Sequence, residues 1–243
     1  MPSRSTPKYT AGLADLPDDT PVPGTLEALS ALVQRMSYAI VDSPLAPALQ
    51  GSSVVRGQYG LASRRMLPPS LSLDSKRSPN FTKALFGYLS RCFPYAVASS
   101  CTVAWHRRAP LHIDGSNIGL SYVAALHCLS GGDLWTAHPF GDHGLVLRAT
   151  AELCEFDSLQ LHTTLPFEGS RCYVSYYCHK SAARVPALLR NSLLQLRVPL
   201  PTQAECGAMQ LALKRQPALS KRKADGFKQW ERYLNTLSQK ERY

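Results

Sequence analysis

No run of about 18 uncharged apolar residues occurs in this 243-residue chain, so no segment reads as a membrane-spanning helix. The first ten residues lack the apolar stretch of a secretory leader, and an intracellular protein is expected. The seven cysteines (Cys92, Cys101, Cys128, Cys154, Cys172, Cys178, Cys206) contain no CxxC pair and are odd in number. That excludes a fully paired disulfide framework and the common zinc spacings, and leaves reduced thiols packed as small apolar residues. Acidic residues are scarce, 17 against 27 Lys and Arg, for a formal net charge of +10. Such a surplus attracts polyanions and is equally compatible with a plain solvated basic surface. Charged residues make up only 18% and hydrophobic ones 44%, which excludes a wholly disordered or fibrous chain. No internal repeat is visible, and the length suits one domain with extensions.

Residues 1–24 hold five prolines among turn-prone residues and read as a disordered tail. Residues 25–95 read as a helical and loop N-terminal part of the core. Leu26, Leu29, Leu32, Val33, Met36 and Ile40 recur at helical spacing behind a Thr25 cap. The stretch from Ser43 to Ser78, rich in Pro, Ser, Gly and Arg, reads as irregular loop with room for one short strand, and is long enough to serve as a substrate lid. Phe81, Leu85, Tyr88 and Leu89 predict a second helix after Pro79.

From 96 to 180 the texture changes to short β-prone runs separated by turn signals. Strands are expected at 98–106, 119–129, 134–137, 144–148, 153–156, 159–162 and 171–178, with hairpin turns at Gly131-Gly132, 141–144 and 166–169. Mainly β structure with flanking helices, closed as a double-layered jelly roll, is the fold class this pattern predicts. Residues 181–243 read as a basic, largely helical extension.

The central motif is His112-Ile113-Asp114 behind the first expected strand, with His162 50 positions later at the end of another. Residues spaced by two on an extended segment point the same way, so His112 and Asp114 can reach one metal. Two imidazoles and one carboxylate on one face of an iron leave other positions open for a bidentate cosubstrate and dioxygen. Arg171 follows His162 across an expected turn. A guanidinium can hold a buried carboxylate through two parallel hydrogen bonds, which a lysine cannot. Tyr173 and Ser175 alternate with Arg171 and could each add a hydroxyl contact.

The stretch from Leu111 to Tyr177, opening LHIDGSNIGLSYVAALHCLSGGDLW and closing FDSLQLHTTLPFEGSRCYVSYY, resembles the Fe(II)- and 2-oxoglutarate-dependent dioxygenases of the double-stranded β-helix fold. It is most similar to the branch of the TET and J-binding-protein base oxygenases. The resemblance implies His112, Asp114 and His162 as iron ligands, Arg171 as the anchor of 2-oxoglutarate, and Fe(II), 2-oxoglutarate and dioxygen as cofactor and cosubstrates. Many members carry Ser two residues after the Arg. Here Tyr173 holds that place and Ser175 follows, so the second carboxylate contact stays open between them. The expected activity is hydroxylation of a C–H bond, with a methylated nucleic-acid base as substrate, as both the resemblance and the charge favour. The alternatives are a peptidyl hydroxylase and an inactive jelly roll that binds nucleic acid.

Lys214 to Tyr243 carries nine Lys or Arg against Asp225, Glu231 and Glu241. This extension is the expected contact for DNA or RNA, its Lys221-Arg222-Lys223 can be read as a nuclear import signal, and a solvated helix is the plain alternative. Trp230 and Tyr233 would pack on a neighbour as easily as stack on a base. With the iron site read as lying within the β core, the extension is expected to be dispensable to it. Asn117 reads as turn chemistry behind the HxD pair, and Gly131-Gly132 as a tight turn without chemical role.

Overall fold

The structure, a computed structural model, describes residues 15–36, 39–41, 54–63, 67–105 and 108–237. The chain runs through helix α1 (Leu26–Gln34), strands β1 (Ala39–Val41), β2 (Val54–Ala62) and β3 (Ser70–Leu71), and helices α2 (Leu73–Arg77) and α3 (Pro79–Cys92). Strands β4 (Ser100–Trp105), β5 (Ser121–His127), β6 (Ser130–Gly131), β7 (Leu134–Thr136), β8 (Leu145–Leu147), β9 (Cys154–Phe156), β10 (His162–Thr164), β11 (Phe167–Glu168) and β12 (Cys172–Tyr177) follow. Helices α4 (Ala187–Gln195), α5 (Gln203–Arg215) and α6 (Leu219–Thr236) end the described chain. The fold is mainly β with flanking helices.

A seven-stranded sheet has the order β1-β2-β4-β12-β5-β9, with β3 added to β2. Two smaller sheets, β10-β7-β8 and β11-β6, accompany it. Strand β12 shows why the large sheet has two different faces. Cys172, Val174 and Tyr176 are buried in the main core, with Phe86 of α3 meeting the Tyr176 ring edge-on at 5.9 Å. Residues of the other parity, Tyr173, Ser175 and Tyr177, line a cavity instead. Period two along one strand thus separates core from site. On the cavity side Val123, Leu134, Ala149, Cys154 and Phe156 form a second apolar cluster joining β5 and β9 of the large sheet to β7.

The N-terminal half departs from the sequence reading. Thr25 caps α1 as expected, its hydroxyl accepting from Ala28 N, but the helix stops at Gln34 and Ile40 belongs to β1. The segment read as irregular loop and lid holds β2, a strand of nine residues inside the large sheet, and the helix α2. Arg56 through Gly60 pair with Ala104 through Ser100 of β4. Gly57 and Gly60 disguise this strand in the sequence. Gly60 has φ +81°, and a side chain there would strike Ser99 O, so the close approach requires glycine. Residues 43–53 and 64–66 of the lid stretch lie outside the described residues.

Residues 15–24, read as the end of a tail, pack on α3. The Asp15 carboxylate accepts from Asn80 N at 2.9 Å and Phe81 N at 3.2 Å, capping a helix whose own N-cap Ser78 makes no side-chain bond. Leu16 is buried, and Val22 fills the space above Gly87.

Two corrections concern the β region. The strand expected at 159–162 is a turn, because the Asp157 carboxylate accepts from Leu159 N at 2.9 Å, and β10 begins at His162. Gly131-Gly132 is not a hairpin turn: β6 pairs with β11, and a side chain at Gly131 would meet Pro166 O at 2.2 Å.

The C-terminal extension docks on the small sheet. Trp230 and Tyr233 of α6 pack with Trp135, Ala137 and Leu161, and the rings of Trp135 and Trp230 meet at 4.9 Å. Buried Gln229 takes His138 N and donates to His138 O and Gly141 O. Arg222 donates to Leu159 O, and Gly226 lets the helix lie against Leu161. The extension expected to be dispensable thus packs, through α6, behind the segment that leads into the strand beginning at His162.

Candidate metal centre

His112 and His162 are joined through their backbones. Each donates its N–H to the other's carbonyl at 2.9 Å, an antiparallel bridge that sets the two imidazoles side by side with ring centroids 4.2 Å apart. Asp114 is fixed by its N–H on Ser158 O at 2.9 Å. Its carboxylate oxygens lie 3.7 Å from His112 Nε2 and 3.9 Å from His162 Nε2. All three potential ligand atoms fall within 4.8 Å of one another, which suits a shared cation.

The tautomers follow from the partners. His112 Nδ1 sits 2.6 Å from Pro110 O and His162 Nδ1 2.9 Å from Gln160 O. A carbonyl only accepts, so each Nδ1 carries a proton, which leaves Nε2 as the ring atom that faces the carboxylate. Burial, and then the neighbouring His112, push the His162 pKa down to about 4, so this imidazole is neutral near pH 7. Phe156 packs edge-on against it at 5.1 Å.

Asn117, assigned to turn chemistry from the sequence, does more. It is buried, and its amide donates to Ser158 Oγ at 3.1 Å and toward Asp114 Oδ2 at 3.4 Å, while Ser121 Oγ donates to Ser158. A polar network therefore orients the carboxylate from behind. Nothing in an isolated Asn-Ile-Gly announces it, because Ser158, the centre of the network, lies 41 positions away.

Arg171 is only 2% exposed yet lines the same cavity of about 310 Å³ as His112, Asp114 and His162. Its Nε donates to Gly132 O at 3.0 Å, and its guanidinium lies over the rings of Tyr173 at 5.2 Å and Phe167 at 5.8 Å. Burial lowers its pKa below the ordinary guanidinium value, the cost of desolvating the charge. Gly132, given no role from the sequence, is what admits it. At φ +86° a side chain there would come within 2.9 Å of Arg171 Nε. Tyr173 and Ser175 line the cavity as their alternation predicts.

The sequence reading missed Arg56, Thr102 and Tyr177, which line the cavity as well. Tyr177 shares the period-two phase of Arg171 and could have been found that way. Arg56 lies on the strand that was read as loop, so no signal pointed to it.

No family model matches the chain, and no curated protein matches it. Solved structures do resemble it. An oxidoreductase of the 2OG-Fe(II) oxygenase family from Burkholderia pseudomallei is 16% identical with a TM-score of 0.41, over 52% of this chain and 66% of that one. NgTET1 in complex with 5mC DNA is 13% identical with a TM-score of 0.41, over 52% and 61%. A prolyl hydroxylase from Trichoplax adhaerens, in complex with a hypoxia inducible factor peptide fragment, is 17% identical with a TM-score of 0.38, over 65% and 78%. The chain spans less than two thirds of the length of the first two. At these identities and scores, function must be read from the site's own side chains. Among the described residues, no helix is long and apolar enough to cross a membrane.

Proposed function

We propose that this chain is a non-haem Fe(II) oxygenase that uses 2-oxoglutarate and dioxygen to hydroxylate a C–H bond, on a double-stranded β-helix formed by the large sheet and β10-β7-β8. The observation that carries the reading is the pair of backbone-locked imidazoles, both presenting Nε2 to Asp114 in a cavity that also holds a buried Arg171. Two neutral nitrogens and one carboxylate fit Fe(II) and leave coordination positions free. When bound, the metal supplies the activation of dioxygen, coupled to oxidation of 2-oxoglutarate.

The chain's own residues bind, orient and exclude water. His112, His162 and Asp114 hold the metal, and Asn117 and Ser158 keep the carboxylate aimed. Arg171 offers its guanidinium nitrogens to the far carboxylate of 2-oxoglutarate, with the Tyr173 ring beneath it, and the second hydroxyl contact falls to Tyr173 or Ser175. Phe156, Val123 and Leu134 supply apolar wall that keeps the reacting centre dry.

For substrate we propose a methylated base in DNA or RNA, flipped out or single-stranded so that it reaches the metal. The formal charge of +10 and the basic extension support this reading, and a peptide side chain is the competing one. Incubation with Fe(II), 2-oxoglutarate and either methylated oligonucleotides or a peptide library, followed by succinate assay and mass spectrometry, tests it. Demethylated or hydroxylated nucleosides are expected. Succinate release coupled only to peptides shifts the substrate, and no 2-oxoglutarate turnover under any condition removes the oxygenase reading.

A further inference from the structure

The cavity has two cationic poles, and the proposed cosubstrate occupies only one of them. Arg171 stands just before β12, whereas Arg56 lies two strands away on β2, in the row that runs through Ala104 to Tyr173, so the two cations enter the cavity from different strands. Across the sheet the lateral rows bring three donors, Arg56, Thr102 and Tyr177, to the cavity face. Gln58, Thr102 and Ser175 form one row across β2, β4 and β12, and Arg56, Ala104 and Tyr173 form the next. Ala104 is small and buried, which leaves room above it for the Arg56 side chain.

Arg56 lines the cavity, but its Nε is shut off from solvent and has no hydrogen-bond partner. A buried guanidinium donor left unpaired is costly, and ordinary structures avoid it. Asp74 lies within electrostatic range but forms no ion pair with it, its Oδ2 being taken by Gln58 N at 2.8 Å. Beside Arg56, the hydroxyls of Tyr177 and Thr102 lie 3.4 Å apart and both line the cavity. Burial raises the Tyr177 pKa above its ordinary value, while Thr102 and the charge of Arg56 oppose that rise. The phenol is therefore a protonated donor.

We propose that Arg56, Thr102 and Tyr177 form an oxyanion subsite that receives a backbone phosphate of a single-stranded nucleic-acid substrate, next to the base presented to the metal. The subsite rests on the oxygenase reading for its orientation, since that reading assigns the Arg171 pole to 2-oxoglutarate and leaves the Arg56 pole to the substrate. A phosphate matches a guanidinium fork flanked by hydroxyls. The basic balance of the chain favours a phosphate over the carboxylate of an acidic peptide, and exposed Arg108 adjoins Ala109 at the cavity wall.

The test compares wild type with Arg56→Gln and Arg56→Lys in the full chain. A fluorescent single-stranded oligodeoxynucleotide is titrated over a range of salt, and 2-oxoglutarate binding in the presence of Mn(II) is measured on the same samples. Arg56→Gln should weaken the oligonucleotide about tenfold or more and lower its log-log salt slope by about 0.7, the share of one phosphate on a single strand. Arg56→Lys should recover part of the affinity and the full slope. Retained 2-oxoglutarate binding shows that the variants are folded and that Arg56 does not serve the cosubstrate. Loss of 2-oxoglutarate affinity in Arg56→Lys, a salt slope unchanged in Arg56→Gln, or weakening confined to an acidic peptide would each overturn the subsite. Failure of the wild type to bind Mn(II) and 2-oxoglutarate is a separate result, and it removes the oxygenase reading instead.

Discussion

The two walls of the cavity are built in opposite ways. The wall of Arg171, Tyr173 and Ser175 stands at or on β12, an interior strand hydrogen-bonded to β4 on one side and β5 on the other. The wall of His112, Asp114 and His162 is a short bridge between a loop and the first residue of a three-residue strand. Regular pairing fixes the first wall through many equivalent bonds. The second depends on a few specific ones, on the Asn117–Ser158–Ser121 network, and on α6 packed behind Trp135 and Leu161. The anchor proposed at Arg171 can be carried by ordinary sheet geometry, whereas the metal site proposed at His112, Asp114 and His162 needs local devices that aim three side chains at one point.

The most severe test removes the metal wall. His112→Ala, Asp114→Ala and His162→Ala should each abolish Fe(II)-dependent succinate release, since a three-ligand site has none to spare. Calorimetric titration with Mn(II) checks the cause. Wild-type turnover in all three variants would dissolve the contrast between the walls, because the metal would then lie elsewhere.

Arg171→Lys probes the other wall by exchanging a planar fork for a point charge. The 2-oxoglutarate concentration for half-maximal turnover should rise by about tenfold or more, with Mn(II) affinity unchanged. Loss of metal binding instead would mean that the two walls are mechanically one unit. Asn117→Ala should act on the metal wall alone and more mildly, lowering Mn(II) affinity about tenfold while 2-oxoglutarate affinity changes only through the metal. An unaltered Mn(II) titration would reduce Asn117 to a turn residue.

The smallest expected effect tests the support behind the metal wall. Trp230→Ala removes a half-buried ring from Trp135 and should cost about 2 kcal/mol, a thermal midpoint lower by several degrees. Scanning calorimetry with and without Mn(II) would show it, and the stabilisation that Mn(II) confers should shrink as His162 loosens. A midpoint that falls without any change in that increment would make α6 a general clamp rather than a support of the site.

How much of this was legible follows from the kind of contact involved. The alternation Arg171, Tyr173, Ser175 is a property of one strand, and one strand can be read from its own residues. The pairing of His112 with His162 required only that both segments be extended and adjacent, and the HxD spacing with a later His suggested it. Strand β2 was hidden because Gly57 and Gly60 mimic a loop while β4 supplies the partner that makes them strand. Gly132 looked like a turn glycine because the residue it must admit, Arg171, is 39 positions away.

The candidate His-x-Asp pair, the residues that share the Arg171 face, the Thr25 cap and the helices that cover the core are readable along the chain, because each depends on neighbours a few positions apart. That His162 opens its strand, that Asn117 stands behind Asp114, that α6 closes on Trp135 and that Arg56 enters the cavity are settled by contacts in three dimensions. Each of those rests on a hydrogen bond, register or ring contact between segments far apart in the chain, and periodicity along one segment carries no record of the partner it will meet.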